Sequence, residues 1–310
     1  MTRFPYDQFS KNYLEELLQP LGTVQVARQV AGEVREIDVW FSPNQSVDTI
    51  EVSRLGLLGR LAATPAILEP FRNAATPTEI CSCLLKSLEV RGEYERDAKR
   101  DKQQLTESSL PMLWILSPTA SESVLEGFAA LSDEDNWGTG IYFLPRYLRT
   151  AIVAIHQLPK TRETLWLRIL GKGKVQSTAI DELEALPADE PLRSRALELL
   201  YSLKTTLEVK QNIDEEDREL IMRLSPLYTQ RLEEAEQRGE RKGKIEGQIE
   251  GQRKVVENLL KSRFGLLDEQ LSTIIEPLLS LPAEEFTPLL LQLSREELLE
   301  RFSQRSSKVR

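Results

Sequence analysis

Residues 5–41 read PYDQFSKNYLEELLQPLGTVQVARQVAGEVREIDVWF, and the fold of the first half turns on them. From Pro5 to Leu18 the apolar residues Phe9, Tyr13, Leu14, Leu17 and Leu18 recur at helical spacing, and Pro20 with Gly22 stops the helix. The period then shortens to two. Thr23 to Val30 alternates Val24, Val26 and Val30 with polar residues, Ala31-Gly32 makes a turn, and Val34 to Phe41 is rich in β-branched and aromatic side chains. A helix feeding a β-hairpin is therefore expected. On the second strand, alternation places Glu36, Asp38 and Trp40 on one face and Ile37, Val39 and Phe41 on the other. A carboxylate at Asp38, between bulky neighbours, is costly unless it is solvated, paired or metal-bound.

Downstream, Pro43-Asn44 ends the strand, and Asp48 to Ser53 reads as a third strand or as a helix entry. Residues 54–108 read as helical, punctuated by Pro65, Pro70 and Pro77, with a longer helix starting at Thr78 and running into charged sequence. The apolar run Leu113 to Leu116 predicts a buried strand, followed by a helix from Ser121 to about Leu131 with Ser121 as its N-cap. Ile141 to Leu144, Arg149 to His156 and Thr164 to Leu170 read as further strands. This succession is an α/β order, assigned to residues 1–175.

Beyond it the chain turns helical. Asp181–Leu186, Leu192–Leu207 and Asp214–Leu224 are amphipathic, within a linking region of residues 176–227. One long helix spans 228–264, three short helices form an end module over 265–303, and 304–310 is a polar tail. The long helix carries Gly239, Gly243, Gly247 and Gly251 at every fourth position among Glu, Lys, Arg, Gln and Ile. Each glycine costs a helix about 1 kcal/mol relative to alanine, and small side chains every fourth residue let another helix approach closely. A homodimer through residues 228–264, coiled-coil fashion, is the expectation.

Composition limits the options. The net charge is −9, so contact with nucleic acid requires a local basic patch. Two cysteines, Cys81 and Cys83, exclude a disulfide framework and fit a reducing cytoplasm. The first residues lack the apolar core of a signal peptide, and no apolar run approaches 18 residues, so neither export nor a membrane span is expected. His156 is the sole histidine, in an apolar context that fits a structural role. The lysines of GKGK at 171–174 and the run Arg96–Lys102 are possible phosphate contacts, more simply read as a turn and a solvated helix face.

The carboxylates that could carry chemistry are Asp38, Glu51 in TIEVS, and Glu15 or Glu16 on the first helix. Asp38 and Glu51, on adjacent strands, could hold Mg²⁺, which takes one or two carboxylates with water and substrate phosphate completing its shell. The plainer alternative is that Asp38 lies on a solvated sheet face beside Arg35.

YDQFSKNYLEELLQPLG followed by a hairpin ending in REIDVWF resembles the start of the PD-(D/E)XK nuclease-like fold, a restriction-endonuclease-like mixed sheet flanked by helices. In particular it resembles the bacterial recombination-promoting nuclease/putative transposase group, whose opening helix carries an Asp-then-Phe-Lys signature. Asp7, Phe9 and Lys11 approximate that signature with the spacing off by one. The resemblance implies a motif aspartate on the second strand, at Asp38, and an E-x-K or E-x-Q on the third, at Glu51-Val52-Ser53. Ser53 stands where lysine or glutamine belongs, with Arg54 adjacent and Lys86 as a remote substitute. If PMLWIL is instead the third strand, it offers no carboxylate. Over most of its length the chain also resembles uncharacterised bacterial proteins that join such a half to a small C-terminal domain. Some of these carry the name flagellar assembly protein H, which the glycine repeat explains. The resemblance implies a Mg²⁺-dependent DNA endonuclease or a degenerate DNA-binding relative; the alternative is a non-enzymatic oligomeric scaffold.

Overall fold

The computed structural model describes residues 5–30, 35–44, 49–209 and 213–303. It opens with α1 (Pro5–Leu18), β1 (Gly22–Val30), β2 (Arg35–Pro43), α2 (Thr49–Leu55), α3 (Leu57–Leu61), β3 (Ala66–Pro70), α4 (Pro77–Arg100) and β4 (Met112–Ser117). Then come α5 (Glu122–Gly127), β5 (Leu131–Ser132), α6 (Glu134–Trp137), β6 (Ile141–Phe143), β7 (Thr150–Ala154) and α7 (Leu165–Arg168). The helices α8 (Lys174–Glu184), α9 (Pro191–Glu208) and α10 (Glu215–Phe264) follow. The chain closes with α11 (Glu269–Thr273), α12 (Ile275–Leu279), α13 (Ala283–Gln292) and α14 (Arg295–Ser303).

The strands form one seven-stranded mixed sheet in the order β1-β2-β3-β4-β7-β6-β5. β3, β4 and β7 run parallel in the middle, with antiparallel pairs on either side. The central strands are buried on both faces and read as continuous apolar runs, as parallel strands do. One face packs on α1, α3, α7, α8, α9 and the first turns of α10, through Tyr13, Leu58, Trp166, Leu200 and Leu224. The other packs on α4 and α5, through Ile67, Ile80, Cys83, Val90 and Ile115. An α/β half followed by a helical half is thus what the chain builds. Contacts divide it into two compact units, residues 1–228 and 229–310. In the second unit, Val256 and Leu260 of α10 pack with Leu271, Ile275, Phe286, Leu298 and Phe302.

Helix α1, the hairpin strands, β4, β6, β7 and the Ser121 cap lie where the sequence predicts them, and Ser121 accepts from the Val124 N–H. Several elements differ. Thr49–Leu55 is helix, so Glu51 is not on a third strand. The third strand is AILEP, hidden among prolines in a stretch that reads as helical. Five residues are too few to display a period. Thr164 to Leu170 is a short 3₁₀ turn and α7, not a strand; its side chains are buried all round, which erases the helical signature. The end module has four short helices rather than three. Asp214–Leu224 and 228–264 are parts of one helix that runs through Pro226. GKGK is the α7–α8 connection, with Gly173 at positive φ before α8, not a hairpin. Among the described residues no helix is long and apolar enough to cross a membrane. The expected turn at Ala31-Gly32 and the 304–310 tail lie outside the described residues.

Candidate active site

The hairpin sets Asp38 in the middle of β2. Strict alternation fails there: Val39 and Phe41 face the α1 side and Trp40 the α4 side, yet Ile37 also joins the α4-side core. The facing-strand partner in the same register is Ala27, whose φ of 58° is the left-handed conformation that side chains other than glycine rarely adopt. The distortion re-aims the strand at Asp38, and such irregularities cluster near functional positions. The expected three-residue face Glu36–Asp38–Trp40 is therefore broken at its centre.

β3 supplies the second carboxylate. Antiparallel pairing matches Val39 with Leu68 and Trp40 with Ile67, and one further step sets Asp38 opposite Glu69. Glu69 is 2% exposed. Burial first, and then the neighbouring Asp38 carboxylate, push the Glu69 carboxyl up to about 7; Lys86 works against both.

The compensating cation comes from α4. That helix starts in a capping box: Thr76 Oγ1 accepts from the Glu79 N–H at 3.3 Å and the Glu79 carboxylate accepts from the Thr76 N–H at 2.8 Å. Pro77 follows at the first helical position, where its missing N–H costs nothing. Ile80, Cys83, Ser87 and Val90 recur at helical spacing towards the sheet, and Lys86 sits within that face, 8% exposed. Its ammonium donates to the Glu69 Oε2 at 2.6 Å and to the Glu36 carbonyl at 3.0 Å. Oε1 is also 2.6 Å from Nζ, but off the angle of a hydrogen bond, and has no other donor. Cys83 borders the same carboxylate; burial, then Glu69, push its thiol up.

Helix α1 supplies a second lysine. Lys11 Nζ lies 2.9 Å from Asp38 and 3.1 Å from Asp7 one turn earlier. Burial pulls its pKa down, but the two carboxylates outweigh burial and leave it above its ordinary value.

A cavity of about 670 Å³ opens over Asp38 and the carboxyl end of β3, where open α/β sheets place their ligands. Asp7, Glu79, Asp214 and Asp217 line it, with Arg72 as its cation. Arg72 lies 3.6 Å over the Tyr6 ring and donates to the Tyr6 hydroxyl at 2.9 Å and to Asp217 at 3.3 Å. The Tyr6 hydroxyl donates to Asp217 in turn, and burial holds the phenol far above its ordinary pKa. The first turn of α10 is thereby fastened to α1 and to the loop after β3. His156 lies behind this cluster; burial, then Arg72 and Lys172, lower its pKa, and its Nε2 accepts the Lys172 N–H at 3.2 Å.

Of the residues expected to carry chemistry, Asp38 lines the cavity, whereas its neighbours Glu69 and Lys86 are buried beside it and do not line it. Glu51 is on α2, paired with Arg54 at 2.5 Å, and does not line the cavity. Nor do Glu15, which is exposed, or Glu16, which pairs with Arg195 of α9. Glu69 was missed, although a carboxylate inside the apolar run AILEP is itself a signal. Lys86 was legible as a lysine in the apolar stripe of α4. Among the described residues no three metal-ligating side chains converge. Two carboxylates do, and two suffice for Mg²⁺ when water and a phosphate complete the shell. The raised Glu69 pKa records its burial and the approach of the Asp38 carboxylate, and the Lys86 ammonium already lies 2.6 Å from its oxygens.

No family model, curated protein or solved structure matches this chain.

Proposed function

We propose that the first unit is a Mg²⁺-dependent DNA endonuclease of the PD-(D/E)XK, restriction-endonuclease-like kind, with Asp38, Glu69 and Lys86 as its catalytic set. The observation that carries this reading is two carboxylates on adjacent strands with a buried lysine between Glu69 and the backbone of β2. The helix–hairpin–third-strand order also agrees with the resemblance, once the motif glutamate moves from Glu51 to Glu69. Glu69-Pro70-Phe71 has phenylalanine where the motif lysine belongs, and Lys86 brings the ammonium from α4 instead.

Asp38 and Glu69 would hold the cation, and when bound, Mg²⁺ activates water and neutralises charge on the scissile phosphate. Lys86 opposes the rise in the Glu69 pKa that burial and Asp38 impose, and would place a positive charge near the attacking water. Lys11 orients Asp38. Arg72, tethered by Tyr6 and Asp217, is the cation available to a second phosphate oxygen. The carboxylates around the cavity repel DNA, so binding as well as cleavage requires the divalent ion.

Nicking of supercoiled plasmid in Mg²⁺ or Mn²⁺ tests this. Cleavage should vanish in Asp38→Asn, in Glu69→Gln and in excess chelator, and persist in Glu51→Gln. A parent protein that cuts nothing, or cutting indifferent to Asp38→Asn, removes the reading in favour of a scaffold. We propose further that residues 228–264 pair with a second copy. Supporting this, a Cβ added at Gly239, Gly243, Gly247 or Gly251 meets nothing within 4 Å, so the glycine face is uncovered in the single chain.

A further inference from the structure

We infer that a second cavity, at the amino ends of β3, β4 and β7, binds a nucleotide unit, a planar base carrying a phosphate. It lies at the opposite end of the parallel strands from Asp38 and does not depend on the nuclease reading. The cavity measures about 390 Å³, inside the roughly 300–1,000 Å³ usual for small-molecule sites. Thr64 precedes β3, Met112 begins β4 and Arg149 precedes β7, so three strand ends form its floor.

Its walls are aromatic. Trp114 and Trp137 have ring centroids 5.4 Å apart, Trp114 and Phe143 6.0 Å, and Trp137 and Phe143 5.5 Å. Flat faces at one cavity favour a flat guest, because bases stack on aromatic rings whatever their sequence. Its charge has one sign. Arg60 and Arg149 are the charged side chains in the lining, in a chain whose net charge is −9 and whose other cavity is ringed with carboxylates. Arg60 is laid 4.4 Å above Trp137 and donates to the Asn136 carbonyl at 2.6 Å, which leaves further N–H groups free for phosphate. Arg149 is fixed by its left-handed φ of 43° and by donation to the Leu110 carbonyl at 3.0 Å.

Two donors in this lining lack acceptors. Trp114 is 3% exposed and its indole N–H meets none, and neither does the Arg149 Nε–H. Both atoms are covered by the protein itself, so they mark unsatisfied donors in the packing behind the cavity wall, and the aromatic faces and the Arg60 guanidinium are what meet a guest. Glu107 acts on Arg149 from outside the lining, where Arg146 also engages it at 3.6 Å.

Calorimetric titration of the full chain in chelator, which silences a metal-dependent centre at Asp38 and Glu69, tests the proposal. The probes are dAMP, a single-stranded oligodeoxyadenylate, and an abasic strand with the same number of phosphates. Saturable binding of dAMP identifies a free nucleotide as sufficient; binding of the oligonucleotide alone identifies a base within a strand, and either supports the site. Trp137→Ala should weaken binding about tenfold or more, as loss of a stacking partner does. Arg60→Gln, on an exposed side chain, should do the same. The proposal is overturned if neither probe saturates at millimolar concentration, if the abasic strand binds equally well, or if Arg60→Gln binds unchanged.

Discussion

Glu69 occupies a position where an ionised carboxylate has almost no water, and its behaviour with pH follows from that. Its folded pKa of about 7 lies above its ordinary 4.5, so the folded state holds the proton more tightly than the unfolded chain. The resulting stabilisation is complete below the unfolded pKa and is lost as pH rises through about 7. Thermal melts of the parent should fall across that window, and those of Glu69→Gln should fall less. On the proposed reading Mg²⁺ would compete with the proton at Glu69, so its stabilising effect should be larger at pH 8 than at pH 5.5. Equal Mg²⁺ shifts at both values would count against metal binding here. Lys86→Met leaves Glu69 without its cation, and breaking a buried ion pair costs about 3–5 kcal/mol. Denaturant titration should show that loss, and the double variant with Glu69→Gln should lose less than the two single losses combined. On the nuclease reading, cleavage by the folded variant should drop by about 10²–10³ through the missing electrostatic stabilisation.

Helix α10 shows how far local chemistry constrains an element. Pro226 removes one N–H from the ladder, and the helix still continues, with the Ser225 hydroxyl donating to the Ile221 carbonyl at 2.6 Å. Further along, the glycines and the exposed Ile245 and Ile249 alternate every second residue and so fall on nearly opposite faces. In a single chain, alanine at Gly243 and Gly247 has room and should raise helix stability by about 1 kcal/mol each. Leucine at both should prevent close approach of a second helix. Sedimentation should therefore find a dimer for the parent and a monomer for Gly243→Leu/Gly247→Leu, with circular dichroism showing no loss of helix. An unchanged mass, or a monomeric parent, removes the dimer.

At the scale of the molecule, the sheet's core extends from Phe9 to Leu224, whereas the second core begins at Val256. Residues 1–228 should therefore fold alone, with a single cooperative transition. A chain stopped at residue 209 should not match it. It loses Leu220 and Leu224, and core leucines contribute about 2–5 kcal/mol each on truncation to alanine. It also loses Asp217, which leaves Arg72 without its carboxylate beside the cavity. Asp217→Asn in the full chain isolates that second effect. On the nuclease reading, in which Arg72 would contact phosphate away from the reacting bond, it should raise the substrate concentration needed for half-maximal nicking more than it lowers the maximal rate.

Periodicity alone determined the long or strongly patterned elements α1, the β1–β2 hairpin, α9 and the helical second half, while an unbroken apolar run after Pro111 determined β4. In each of the former, one face is apolar over enough residues for a period to register. Asp38 could be singled out for the same reason, since a carboxylate interrupts a strand of bulky side chains. Only tertiary structure could decide the partner of Asp38. AILEP is five residues between prolines, and it becomes a strand because β2 and β4 flank it and satisfy its backbone on both sides. TIEVS has as good a strand composition, yet it closes into helix α2, where Glu51 pairs with Arg54. Lys86 lies 17 residues from Glu69 along the chain and 2.6 Å away in space, a proximity that exists only once α4 has crossed the sheet. Local propensity fixes which way side chains point along one element; which carboxylates and lysines meet depends on pairing across elements, and pairing is set by burial of the whole sheet.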